Sequence, residues 1–121
     1  MSAVLFHKWT ISPDVDIVNK TAQQLDELWK TSMGPVDAER QAYLDSMVAE
    51  GLTEGPAFLT EFDTINRIMT RQREFINVAA GTQYIDWFNA HIPETFGGFT
   101  RVDYQVLDGD QLSKRGKYII A

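Results

Sequence analysis

Cysteine is absent from the 121 residues of this chain. Disulfides, thiolate metal ligands and cysteine nucleophiles are therefore all excluded. A cysteine-free composition fits a reducing compartment, where disulfides are rare, and it also fits a virion protein. We expect a cytoplasmic location, or a virion-associated one if the chain is viral.

Long apolar runs are also lacking. No segment approaches the roughly 20 apolar residues that a membrane span requires. The first apolar run, within "MSAVLFHKW", stops at His7 and has no basic region before it, unlike a secretory signal peptide. The sequence therefore predicts a protein that neither crosses nor binds a membrane.

Positive charge is scarce: 11 Lys and Arg residues stand against 17 Asp and Glu residues, a net charge of −6. Phosphate backbones are bound by basic surfaces, so this balance argues against nucleic acid as a partner. The segment "RIMTRQREF" also lacks the glycine and the interleaved aromatics of an RNA-recognition strand. We expect no nucleic-acid partner.

Hydrophobic residues make up 44% of the chain, which is enough for a core, and its length is typical of one domain. We predict a single α+β domain over residues 1–121. The predicted elements are a strand over 3–11, a helix capped by Ser12 and ending near Met33, a helix over 36–50, strands over 57–62 and 65–75, a helix from Asn77 to His91, and a strand over 99–107. The segment "KYIIA" is a candidate for an extra C-terminal edge strand.

This order, β-α(α)-β-β-α-β, is the pattern of ferredoxin-like domains with an additional helix in the first crossover. In that arrangement the sheet is antiparallel, the first and third strands are central, and the helices cover one face. The other face is left open. The last predicted strand alternates, with Val102, Tyr104 and Val106 inward and Arg101, Asp103 and Gln105 outward.

The segment "INRIMTRQREF" places three arginines on alternate positions of a predicted central strand. Ideal alternation puts Arg67, Arg71 and Arg73 on one face, where Arg101 of a nearby strand joins them. Because the strand is polar, we predict that this face is the open one. Three explanations remain: a solvated face with cross-strand ion pairs, an interface with a protein partner, and a site for a small anionic ligand.

His7 lies on the first predicted strand beside Trp9. A histidine titrates near neutral pH and is a natural general acid or base. His7, Trp9 and Tyr104, with Arg71, are the candidate lining of a pocket in a dimeric α/β-barrel. A packed or surface histidine explains His7 as well.

Other chemistry has little support. Two distant histidines and no cysteine leave no metal-binding pattern, and no nucleophile motif such as G-x-S-x-G occurs. We therefore predict no catalytic residues, no metal and no cofactor. Trp87 falls beside the apolar stripe of its helix, which makes it a candidate interface residue.

The leading hypothesis is a non-enzymatic interaction or assembly protein that forms a homo-oligomer or part of a larger, viral or cellular, complex. The alternative is a small ligand-binding domain or enzyme with an anion-accepting pocket. The two differ in one respect. A pocket requires the arginines and a titratable residue to converge, whereas an assembly surface spreads them over a flat face.

Overall fold

The computed structural model describes residues 2–53 and 59–108. Within these ranges the elements in chain order are β1 (Ala3–Ile11), α1 (Ala22–Met33), α2 (Val36–Ala49), β2 (Leu59–Asp63), β3 (Ile68–Phe75), α3 (Val78–His91), β4 (Thr95–Phe96) and β5 (Phe99–Asp108).

The strands form one antiparallel sheet in the order β2-β3-β1-β5-β4. All three helices contribute to a core with the same side of β1. The α+β class is confirmed, and the arrangement is consistent with the ferredoxin-like type, with β1 and β3 inside the sheet. The short strand β4, which forms a hairpin with β5, was not predicted. The segment "KYIIA" lies outside the described residues.

The first helix begins later than the sequence indicates. Ser12 starts a turn instead, in which its carbonyl accepts the backbone N–H of Val15. Asn19 then adopts a left-handed conformation, with φ of 63°, which is incompatible with a continuing helix. Thr21 is the actual N-cap, and it forms a reciprocal capping box with Gln24. The prediction of Ser12 as N-cap was therefore wrong.

The arginine strand also begins later than predicted. Asp63 ends β2, and its carboxylate accepts the backbone N–H groups of Ile65 and Asn66. Arg67 has a φ of 55°, and β3 begins only at Ile68. The side chain of Asp63 thus stabilises a turn over residues that were expected to be extended.

A bulge interrupts the pairing of β1 with β5. Lys8 pairs with Asp103, but the next residue, Trp9, pairs with Arg101, so Val102 is the extra residue. Tyr104 and Val106 face the helices as predicted. Arg101 was predicted to point away from them, and this was wrong, because the bulge rotates it to the helix side.

The core between sheet and helices is rich in aromatic rings. Trp9 packs edge-on against Trp29 of α1, with ring centroids 5.4 Å apart, and against Phe96, at 5.2 Å. Trp29 stacks in turn on Phe88 of α3. A smaller buried cluster, Val4, Phe6 and Leu107, lies on the opposite face of the sheet.

Candidate functional site

The register of the three neighbouring strands brings the predicted candidates together. His7 on β1 lies directly opposite Arg71 on β3 and Tyr104 on β5. Side chains of directly paired residues lie on the same face of a sheet. Arg71 and Arg73 share a face as predicted, but the helices cover that face. The expectation that these two arginines lie on an open face was wrong.

Arg71 is held by a carboxylate and an aromatic ring. Its side chain is 1% exposed, and its Nε donates to Oδ1 of Asp26 at 2.7 Å. Its guanidinium carbon lies 3.8 Å from the centroid of the Trp29 ring, a cation–π contact. Burial lowers the pKa of Arg71 to about 10, while Asp26 acts in the opposite direction. Arg71 is thus a charged group in the interior at neutral pH.

Asp26 on α1 compensates this buried charge. It also accepts the hydroxyl of Thr60 at 2.9 Å, and Lys30 lies 3.2 Å away. Burial disfavours the ionised carboxylate, but the charge of Arg71 and the hydrogen bonds from Arg71 and Thr60 outweigh it. The net result is a lowered pKa for Asp26. The carboxylate therefore stays ionised and keeps the guanidinium of Arg71 in one orientation.

Arg40 on α2 is the second fully covered arginine, with a side chain that is 1% exposed. Its Nε donates to Oδ1 of Asp37 at 2.9 Å, and Nη2 lies 2.9 Å from the same oxygen without the alignment of a hydrogen bond. The guanidinium carbon lies 5.2 Å from the centroid of the Trp29 ring, against which Arg71 also packs. Nη1 of Arg40 donates to the hydroxyl of Tyr84. Trp29 thus contacts two cations.

His7 is completely buried. Its ring lies 4.7 Å from that of Phe88 and 5.9 Å from that of Trp9, between centroids. Neither ring nitrogen has a hydrogen-bond partner among residues 2–53 and 59–108. Burial lowers the pKa of His7 well below its ordinary value, and the charges of Arg101, Arg71 and Arg40 lower it further. His7 is therefore a neutral imidazole at pH 7.

Arg101 occupies the end of this group nearest to solvent. One of its terminal nitrogens donates to the amide oxygen of Asn89 at 2.5 Å, and its guanidinium lies over the rings of Tyr104 and Phe88. Arg101 is half-buried and Tyr104 is 44% exposed. These two residues therefore lie at the edge of the buried group.

A surplus of hydrogen-bond donors distinguishes this region. Buried nitrogens that find no acceptor in the described part of the chain include Nε1 of Trp9, Nε1 of Trp29 and Nη1 of Arg101. Indole and guanidinium nitrogens donate and cannot accept. Each unsatisfied buried group costs about 1–3 kcal/mol. We call His7, Trp9, Trp29, Arg40, Arg71 and Arg101 the donor cluster.

Two predicted arginines lie apart from the donor cluster. Arg67, in the turn before β3, donates to the backbone carbonyls of Ile11, Ser12 and Val15. These hydrogen bonds link this turn to the end of β1 and the loop that follows it. Arg73 is buried further along β3, and its Nε donates to the hydroxyl of Thr53 at 3.1 Å. The prediction that Arg67 shares a strand face with Arg71 and Arg73 is wrong, because Arg67 lies in the turn before β3.

Trp87 lies on the outer side of α3. It stacks between Tyr43 of α2 and His91, at centroid distances of 5.1 and 4.3 Å. Its ring is therefore contacted on both sides by this chain and is half-buried. The role of Trp87 at an interface stays a prediction.

Three residues that belong to the cluster or support it were not predicted from the sequence: Asp26, Trp29 as a cation–π partner, and Arg40. A signal for Arg40 exists, because it lies four residues after Val36 and four before Leu44, on the apolar stripe of α2. A charged residue on such a stripe is a candidate for a buried pair. Asp26 has a weaker signal, since it only neighbours the stripe residue Leu25.

Metal and membrane features are absent from the ranges that the structure covers. No group of three or more His, Asp or Glu side chains there is arranged to hold a metal ion. None of the helices in those ranges combines the length and the hydrophobicity that crossing a bilayer requires.

Comparisons with known proteins add little. No family model matches the chain, and no curated protein matches it. Among solved structures the chain is similar to protein SO0527 from Shewanella oneidensis, with 15% sequence identity over 88% of this chain and 93% of that one. The TM-score is 0.39, which is too low to support an argument about fold or function.

Proposed function

We propose that this domain binds a small oxyanion, such as a carboxylate or a phosphate, in the donor cluster between the sheet and the helices. The observation that carries the proposal is the donor surplus: buried N–H groups of Trp9, Trp29 and Arg101 lie among packed aromatic rings without acceptors from the described residues. An oxyanion offers several acceptor lone pairs, which complement such a set.

The balance of charge supports an anion as the ligand. Arg71 is compensated by Asp26 and Arg40 by Asp37, each through one close carboxylate. The hydrogen-bond partner of Arg101 is the neutral amide of Asn89. A guanidinium that is partly desolvated and bonded to a neutral group attracts a carboxylate or phosphate strongly.

Pre-organisation supports the same function. Arg71 is fixed by Asp26 and by the Trp29 ring, and Asp26 is itself fixed by Thr60. Groups that are already oriented lose little conformational entropy when a ligand binds. Arg101 is half-buried and Tyr104 is exposed, so the cluster borders solvent at this end.

Self-association or binding of a protein partner, in a cytoplasmic setting, is the second candidate. Apolar side chains exposed on the surface favour it: Ile65 is 90% exposed and Val18 is 70% exposed. The burial of Arg71 and Arg73 removes these two residues from any contact surface, so the arginine argument for assembly no longer applies. We therefore rank anion binding first.

The test is isothermal titration calorimetry of the purified chain with acetate, benzoate, sulfate and inorganic phosphate. We expect at least one anion to bind, and Arg101→Gln to weaken that binding at least about tenfold, since a charge-assisted hydrogen bond is lost. Lys8→Gln is the matched control, because it removes one positive charge from β1 on the opposite face of the sheet.

Two results would contradict the proposal. The first is that none of the four anions binds. The second is that Lys8→Gln weakens binding as much as Arg101→Gln does, which would show attraction to overall charge and not a site. Circular dichroism of both variants verifies that they remain folded.

A further inference from the structure

We infer that the donor cluster takes up its anion together with one proton, which His7 accepts at its unprotonated ring nitrogen. The inference rests on the proposed anion binding and extends it to a ligand class: weak carboxylic acids, bound as the carboxylate beside an imidazolium. A carboxylic acid can supply the proton itself, or the proton comes from solvent when the free carboxylate binds. In both cases the complex contains the same atoms and the same charge.

The position of His7 is the first argument. It is completely buried at the centre of the sheet, opposite Arg71 on one side and Tyr104 on the other. Neither ring nitrogen is engaged by a described residue. A neutral imidazole has one N–H donor and one acceptor nitrogen. The acceptor nitrogen is thus available for a proton in a layer whose other unsatisfied atoms are donors.

The charges around His7 are the second argument. The groups that face it are Arg71 from β3, Arg101 and Tyr104 from β5, and Arg40 from α2. From α3 it meets the uncharged ring of Phe88, and from α1 the carboxylate of Asp26 lies beyond Arg71, to which it is bonded. Burial, together with the cations that dominate around His7, keeps the imidazole neutral when no anion is bound.

An anion bound among these cations opposes their effect on the pKa of His7. A negative charge within about 4–6 Å favours the protonated imidazole, so binding raises the pKa of His7. The complex then holds more protons than the free protein in the interval between the two pKa values. By linkage, affinity rises as pH falls through that interval.

The test is the pH dependence of binding of benzoate and sulfate, which both stay charged from about pH 5.5 to 8, where histidines titrate. We expect the Kd in the native chain to fall by up to about tenfold per unit decrease in pH, the limit for uptake of one proton. In His7→Gln we expect binding to persist without this dependence. Lys8→Gln should behave like the native chain.

A second measurement covers the case in which His7→Gln does not fold. Nitrogen-15 NMR of the native chain follows the two imidazoles, His7 and His91, as benzoate is added at fixed pH. The inference predicts that the His7 signal moves towards the imidazolium position and that the exposed His91 does not follow it. Binding with no change in His7 protonation, or with no pH dependence, overturns this inference and leaves anion binding in place. No binding at any pH overturns the proposed function itself.

Discussion

The two faces of the central strand pair, β1 and β3, both carry charged side chains but cover them differently. The face beneath the helices carries Arg71 and Arg73, along with His7, and all three are buried. The face away from the helices carries Lys8, which is half-buried, and Glu74, which is exposed. Charge is thus buried on the side of the sheet where apolar residues are normally expected.

The difference shows which conditions allow a charge to be covered. On the helix side each fully buried guanidinium meets a carboxylate and the face of Trp29, so loss of hydration is offset by an ion pair and a cation–π contact. Burying a cation of this kind is costly unless it is paired. A covered face can accept charge where aromatic rings and carboxylates are supplied by the layer above it.

The largest expected effect comes from removing the counter-charge on the helix side. Asp26→Ala leaves Arg71 buried beside Trp29 without its carboxylate, and we expect a loss of about 3–5 kcal/mol in the free energy of unfolding. Urea denaturation measures it. The double variant Asp26→Ala, Arg71→Met should recover part of the loss, because no uncompensated charge remains. If the losses measured for Asp26→Ala and for Arg71→Met alone add up to the loss of the double variant, the two side chains are not coupled. That result would contradict the claim that Asp26 compensates the buried charge of Arg71.

A smaller effect is expected from acid. Because the folded-state pKa of Asp26 is lowered, its contribution to stability is present above the unfolded pKa of about 3.9 and is lost as pH falls through the folded value. We expect stability to decline below about pH 4. Asp26→Asn should make this part of the profile shallower. A slope for Asp26→Asn equal to that of the native chain in thermal unfolding would contradict the assignment.

A gain in stability is expected at His7. Replacing its unsatisfied ring with a similar-sized apolar side chain, His7→Leu, removes the desolvation cost of two polar atoms. We expect the free energy of unfolding of the anion-free protein to rise by about 1 kcal/mol. We also expect anion binding to lose its dependence on pH. A large loss of stability in urea denaturation would mean that His7 is satisfied within the fold.

The smallest effect is expected at Lys8, on the face away from the helices. Lys8→Gln removes the charge of a half-buried side chain that lies opposite Asp103 in the register of β1 and β5. Substitutions of this kind usually change stability little. We expect a change within about 0.5 kcal/mol. A change as large as that of Asp26→Ala would show that charge on both faces is equally important.

Much of the fold was predictable because its signals are local. The alternation over Ala3–Ile11, the cap at Asn77 and the break at Gly34 each depend on a few neighbouring residues, and the structure confirms them. The start of α1 failed because Ser12 and Thr21 both carry capping side chains, and the choice between them was decided by the left-handed turn at Asn19.

Several residues of the candidate site could be predicted from the sequence, but the face of the sheet on which they lie could not. His7, Trp9, Arg71, Arg101 and Tyr104 were all named from the sequence, and register brings them onto one face. The face itself was predicted wrongly for Arg71 and Arg73, because polarity was taken to mean exposure. The partner that makes the burial of Arg71 tolerable, Asp26, lies on another element, 45 positions away in the chain.

The most direct test of anion binding in the donor cluster uses the three tryptophans of the chain. Trp9 and Trp29 belong to the cluster, and Trp87 lies on the outer side of α3 as an internal reference. We would record the indole N–H signals in nitrogen-15 NMR spectra during titration with benzoate and, separately, with sulfate. We expect saturable shifts of the Trp9 and Trp29 signals while the Trp87 signal stays in place. Shifts confined to Trp87, or no saturable shift with either anion, would contradict anion binding in the donor cluster.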